Sequence, residues 1–212
     1  MSAPSSYLTI ARAGEVETEV KRSRFLCRLR RVDDEEQARA VVDEARREHG
    51  DARHHCSAFI IGAAGRVQRS SDDGEPAGTA GAPMLEVLRG RQVSDVVAVV
   101  SRYFGGTLLG AGGLVRAYSD AVRTALVDVG VVRRRRMRLL DVTAGHADAA
   151  RLEHDLRARG VVVNDVSYAE RVTLRIAVPD DAVAELQETL ARLTGGPVES
   201  REVGTVWADS GG

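Results

Sequence analysis

The sequence predicts an α+β protein of two domains, and three observations carry that prediction. Glycines and prolines divide the 212 residues into short segments that alternate between strand-like and helix-like patterning. In the first half, residues 93–100 form a near-continuous Val/Ala run of the kind found in strands buried on both faces. The second half reads strand, helix, strand, strand, helix, strand, which is the βαββαβ order of a ferredoxin-like sandwich.

After a short extended lead, Phe25, Cys27 and Leu29 alternate with arginines and Leu26, a half-buried strand. Asp33 and Asp34 offer an N-cap to a helix on which Ala38, Val41, Val42 and Ala45 recur at helical spacing, with Gly50 as its stop. Residues 57–61 and 66–70 read as a hairpin around a turn at Gly62 to Gly65. Pro83 sits early in a short helix over 81–89. A long helix is expected over 113–129, where Leu114, Ala117, Ala121, Ala125 and Val129 share a stripe and Gly130 closes it. The basic run Arg133 to Arg136 marks the expected boundary, giving domains of residues 1–135 and 136–212. As a linker it is solvated; as a strand it turns alternate arginines to opposite sides. Beyond it come strand 139–143, helix 148–159 stopped by Gly160, strands 161–166 and 171–178, helix 180–193 stopped by Gly195, and strand 198–206.

Composition narrows the function. Hydrophobic content of 43% with 29% charge is that of a folded chain, and 4% aromatics argues against a surface built mainly of base-stacking rings. A net charge of -1 means that any nucleic-acid binding needs locally clustered arginines. Cys27 and Cys56 form no CxxC pair, which speaks against a zinc knuckle or disulfide scaffold and fits a reducing cytoplasm. The small polar start, Met1 to Ser6, is not a signal peptide, and no stretch is long and apolar enough for a bilayer, so no membrane partner is expected.

Two segments carry the candidate chemistry. The polar loop Arg69, Ser70, Ser71, Asp72, Asp73, Gly74, Glu75, Pro76 lies between a strand and a helix. The second, 101–113, joins the buried strand to the long helix through Arg102, Tyr103, Gly105, Gly106, Gly110, Gly112 and Gly113. Its glycines permit positive φ and close backbone approach, and the helix start adds free N–H groups, a geometry that suits an anion. Arg102 and Arg116 add forked donors for phosphate. A P-loop is excluded, because Ala111-Gly112 stands where Lys-Ser/Thr is required. A plain glycine-rich turn remains the alternative. Asp72, Asp73 and Glu75 suit either magnesium or a turn with side-chain to backbone bonds and arginine partners. No positioned nucleophile accompanies them, so no catalytic residue and no cofactor is assigned. His55 and Cys56, adjacent on a strand, point to opposite faces, which makes Cys56 a buried small hydrophobe.

The strings SSDDGEPAGTAGAPML over 70–85 and VVSRYFGGTLLGAGGLVRAYSDAV over 99–122 closely resemble the IMPACT/YigZ family. Lys21-Arg22-Ser23-Arg24-Phe25 and His54-His55-Cys56 are similar to it too, with His55 where the family usually has Asn. The resemblance implies an N-terminal ribosomal-protein-S5-domain-2-like α/β domain, followed by a ferredoxin-like domain similar to the fifth domain of elongation factor G. It also implies a link to translation, since eukaryotic relatives restrain a stress-responsive initiation-factor kinase by binding its activator. The expectation is a cytoplasmic binding protein that regulates translation through RNA, the ribosome or a translation-associated protein, without DNA specificity. An enzyme acting on a phosphorylated small molecule or nucleotide, or a protein-interaction module, are the alternatives.

Overall fold

A computed structural model describes residues 4–194, 196 and 198–210. Gly195, the expected helix stop, and the chain start, residues 1–3, lie outside the described residues. The chain divides into two compact units, one running to Arg133 and the other from Arg134 to Asp209.

The first unit contains β1 (Ser6–Ile10), β2 (Gly14–Val20), β3 (Ser23–Arg31), α1 (Glu35–Glu48), β4 (His54–Ile61), β5 (Val67–Ser71), α2 (Gly81–Gly90), β6 (Val96–Tyr103) and α3 (Gly110–Val129). Strands β2-β3-β6-β4-β5 form an antiparallel sheet in that order. β6 lies at its centre, and alternation decides which of its residues meets which helix. Val96, Ala98 and Val100 join Phe25, Cys27, Leu29, Cys56 and Ala58 under α2 and α3. Val97 and Val99 join Phe59 and Ile61 under Ala38, Val41 and Ala45 of α1. Helices on both faces explain why β6 is apolar throughout. α1 starts as anticipated, with the Asp34 side chain accepting from the Gln37 N–H. β1 stands apart from this sheet and is tied in by Tyr7, whose hydroxyl donates to Asp95, and by the Ser94 N–H bond to the Leu8 carbonyl at 2.8 Å.

The second unit is built from β7 (Val131–Ala144), α4 (His146–Ala158), β8 (Val162–Tyr168), β9 (Val172–Pro179), a 3-10 turn (Asp180–Ala182), α5 (Val183–Thr194) and β10 (Ser200–Ser210). β9 lies between β7 and β8, and β10 pairs with β7, giving the order β10-β7-β9-β8 of a ferredoxin-like sheet. Leu140, Val142, Leu174 and Ile176 meet Leu152, Leu156, Leu186 and Leu190 in its core. The α+β class is therefore as expected. The basic run is different from a linker: Arg133 to Arg136 lie within the single strand β7.

Candidate functional site

The site begins where β6 ends. Its register sets Arg102 opposite His54 of β4 and Phe25 of β3, on the face covered by α2 and α3. Arg102 is 7% exposed, and its Nη1 donates to Glu75 Oε1 at 2.6 Å. Its guanidinium carbon lies 5.5 Å from the Phe25 ring centre and 5.8 Å from that of Phe104. The Tyr118 hydroxyl donates to the same Glu75 oxygen at 2.8 Å, and Cys56 Sγ lies 3.3 Å from Tyr118 Oη. A buried ion pair is tolerated when further hydrogen bonds hold its partners, and Tyr118 supplies one here. Burial pushes the Tyr118 phenol well up and the Cys56 thiol up to about 12, so both remain protonated at neutral pH. Cys56 is the buried residue that its place on the strand predicts, with no thiolate to act as a nucleophile.

The three carboxylates of the loop diverge. Asp72 turns toward the start of α2, where Oδ1 accepts the N–H groups of Ala80 (3.1 Å) and Gly81 (2.8 Å) and Oδ2 accepts that of Gly78 (2.8 Å). Burial raises its carboxyl, but those three donors hold it below the ordinary carboxylate value. Asp73 turns the other way, to the backbone N–H of His55 at 2.7 Å and to Arg46 at 2.8 Å. Glu75 alone reaches Arg102. Among the described residues no three His, Cys, Asp or Glu side chains converge as metal ligands. Of the two roles open to this cluster, the turn with side-chain to backbone bonds is the one the geometry supports.

Gly105 follows β6 and lies against the β2–β3 turn. A Cβ on it would stand 2.1 Å from the Arg22 carbonyl carbon, so only glycine allows this approach. Its N–H donates to Ser23 Oγ at 3.2 Å. The turn beneath is a two-residue connection, with Lys21 and Arg22 at φ of 49° and 65° between the paired Val20 and Ser23. Both side chains are exposed. α3 then starts at Gly110 with no side-chain cap and no acidic residue in its first turn. A cleft of about 390 Å³ opens beside this loop, lined by Arg53, His54, Gly74, Glu75, Pro76, Arg102, Phe104 and Leu108. Leu108 is 83% exposed and Phe104 44%.

Of the expected face, Gly74, Glu75 and Arg102 line the cleft, and Gly105, Gly106 and Gly110 form the loop beside it. The others lie elsewhere. Arg69 and Ser70 are exposed on the edge strand β5, and Ser71 ends it, accepting from the Asp73 N–H. Tyr103 faces the α1 side and bonds His49 Nδ1 at 3.0 Å. Gly112, Gly113 and Arg116 sit on the first two turns of α3, with Arg116 exposed and away from the cleft. Three residues that sequence reasoning misses line the cleft instead: the cation Arg53 and the apolar loop residues Phe104 and Leu108. An aromatic and a leucine inside a glycine-rich polar loop are the signal that could have found the last two.

Two further clusters are structural. His55 Nδ1 lies 2.9 Å from Ser101 Oγ, but both are buried beneath α1, and Asp73 takes the backbone N–H of His55 rather than its ring. Burial lowers the His55 pKa against the opposing charge of Asp73. In the second unit the basic run is neutralised locally, Arg135 by Asp181 at 3.2 Å and Arg136 by Asp180 at 2.7 Å. No helix among the described residues is long and apolar enough to cross a membrane.

Comparison with known proteins matches two domain families. Residues 21–126 match the Impact N-terminal domain, and residues 142–196 match a Domain of unknown function (DUF1949). The chain is 41% identical over 197 residues to "IMPACT family member YvyE" of Bacillus subtilis, covering 93% of this chain and 91% of the relative. It is also 41% identical over 197 residues to "IMPACT family member YigZ" of Escherichia coli, covering 92% and 96%. The "Protein IMPACT homolog" of Saccharomyces cerevisiae matches at 37% over 113 residues, 51% of this chain and 43% of the relative. A solved structure titled "Crystal structure of an hypothetical protein" superposes with a TM-score of 0.65 at 39% identity, covering 94% of this chain and 98% of the other. Two matched domains in sequence order, and identity that runs nearly end to end, make this chain a member of the IMPACT family.

Proposed function

We propose that the protein binds RNA, as part of a translation-associated role, through the end of the first sheet where β6 gives way to the glycine loop. The observation that carries this is a cleft lined by the cation Arg53 and the exposed aromatic Phe104 beside a capless helix start, with the exposed Lys21-Arg22 turn packed by its backbone against Gly105 of the same loop. Cations and free backbone N–H groups suit phosphate, and an aromatic face suits an unstacked base. The family resemblance supports the link to translation, and the overall charge of -1 makes local clustering the source of affinity.

Filter binding of structured and single-stranded RNA across a salt series tests this. Affinity should fall steeply with salt, and the double variant Lys21→Ala, Arg22→Ala should both weaken binding and flatten the slope by about 1 to 2. Binding that is undetectable, independent of salt, or unchanged in that variant overturns the proposal.

A further inference from the structure

The second unit holds a cavity of about 550 Å³, within the size range of small-molecule sites, that the RNA-binding reading does not use. It lies where α4 ends and α5 begins, and both walls are held by local structure. α4 stops in a Schellman motif: the Val161 N–H donates to the Leu156 carbonyl at 3.0 Å, the Gly160 N–H donates to the Arg157 carbonyl at 3.0 Å, and Gly160 has a φ of 78°. That stop puts Arg159 and Val161 on the cavity. The turn before α5 is pinned through Asp180, which accepts from Arg136 at 2.7 Å and from Arg138 at 3.0 Å. The basic run of β7 therefore fixes the second wall.

The lining is of two kinds. Val178 and Leu186 belong to the core of the unit, whereas Met137, Val161 and Ala182 stay half-buried around the opening. A concave apolar surface left partly open to water is what an aliphatic ligand completes. The charges are unusual for this unit, where most arginines lie against carboxylates, as Arg157 does against Glu153 at 3.0 Å and Arg175 against Asp141 at 2.8 Å. The Arg159 side chain has no such partner among the described residues, and Arg192 bonds only Thr189 Oγ1, at 2.9 Å. Glu185, exposed on the same cavity, is likewise without a cation.

The combination selects a ligand class. Guanidinium groups take a carboxylate, a carboxylate takes an ammonium, and the apolar floor takes an aliphatic group. A fatty acid would leave Glu185 beside a like charge, an alkylamine would leave both arginines unanswered, and inorganic phosphate would leave the floor wet. We propose that this cavity binds a free α-amino acid with an aliphatic side chain. Arg159 and Arg192 face its carboxylate, Glu185 its ammonium, and Val161, Val178 and Leu186 its side chain. Every one of these residues lies in the second unit, so the proposal stands apart from the RNA-binding reading.

Isothermal titration of the full chain with leucine and three truncated probes provides the test. Glycine lacks the aliphatic group, 4-methylpentanoate lacks the ammonium, and 3-methylbutylamine lacks the carboxylate. Leucine should bind about tenfold or more tighter than each, since a buried aliphatic group or a charge-assisted hydrogen bond is worth at least that factor. Arg159→Ala and Glu185→Gln change exposed positions that do not hold the fold. The first should weaken leucine about tenfold. The second should abolish the preference for leucine over 4-methylpentanoate while leaving the binding of the latter intact. Leucine binding that is undetectable at millimolar concentration, no tighter than that of glycine or 4-methylpentanoate, or unchanged in both variants overturns the proposal.

Discussion

Replacing Asp72 with Ala removes two acceptor oxygens from three backbone N–H groups at once, those of Gly78, Ala80 and Gly81. The latter two open α2, whose N-cap residue, Ala80, makes no side-chain cap bond. Loss of a cap costs about 1 kcal/mol, and a hydrogen bond to a charged acceptor contributes about 1.5–3 kcal/mol. Asp72 is partly exposed, so water re-solvates some of these donors, and the net cost should be about 2–3 kcal/mol. For a chain of this size that lowers the melting temperature of the first unit by about 5–10 °C. The pH dependence has a definite sign. The folded state holds the Asp72 carboxyl below its ordinary value, so its contribution is complete above the unfolded value of about 3.9 and is lost as pH falls through the folded one. Urea unfolding of wild type and Asp72→Ala, followed by circular dichroism, should show a wide gap at pH 7 that closes below about pH 4. A gap under about 0.5 kcal/mol at pH 7, or one just as wide at low pH, refutes the assignment of Asp72 as a remote helix cap.

Two other substitutions probe the same region. Gly105→Ala drives a methyl group into the Arg22 backbone at 2.1 Å and should cost about 3 kcal/mol, whereas Gly106→Ala, which meets open space at a φ of 82°, should cost about 1 kcal/mol; equal melting temperatures would contradict the tight packing. Cys27 and Cys56 are both buried, and burial raises both thiols, so a disulfide reagent at pH 8 should label neither in the native protein and both in denaturant. Rapid native labelling would show that the β4–α3 packing opens readily.

Where a local signal and its tertiary partner agree, the sequence is legible. Asp34 caps α1 through a residue three positions on, and the β4–β5 hairpin turns at Gly62 to Gly65 as its punctuation indicates. β2 is harder to see although Val16, Thr18 and Val20 alternate with Glu15, Glu17 and Glu19, because an edge strand buries little and two of its glutamates pair instead with Arg24 and Arg28 of β3. β7 hides its first half behind arginines whose partners, Asp180 and Asp181, lie over forty residues away. The same limit applies to the site. That Glu75 and Arg102 belong together can be read from two polar segments flanking one helix, but the opposite directions taken by Asp72 and Asp73 depend on the start of α2 and on Arg46, which no local pattern encodes. Arg116 shows the converse error, since the apolar stripe makes α3 legible while the direction of its outward side is not.

The Lys21-Arg22 turn sets a direction for anyone engineering this protein. A two-residue hairpin with positive φ at both positions is the natural place for Asn-Gly, and a side chain held there costs about 1 kcal/mol per residue. Consensus-style stabilisation would therefore choose Lys21→Asn with Arg22→Gly and gain about 1–2 kcal/mol. It would also remove two exposed cations from the turn that packs against Gly105. On the RNA-binding proposal, thermal robustness and affinity are then coupled with opposite sign at this turn, and selecting library variants by melting temperature alone would weaken binding.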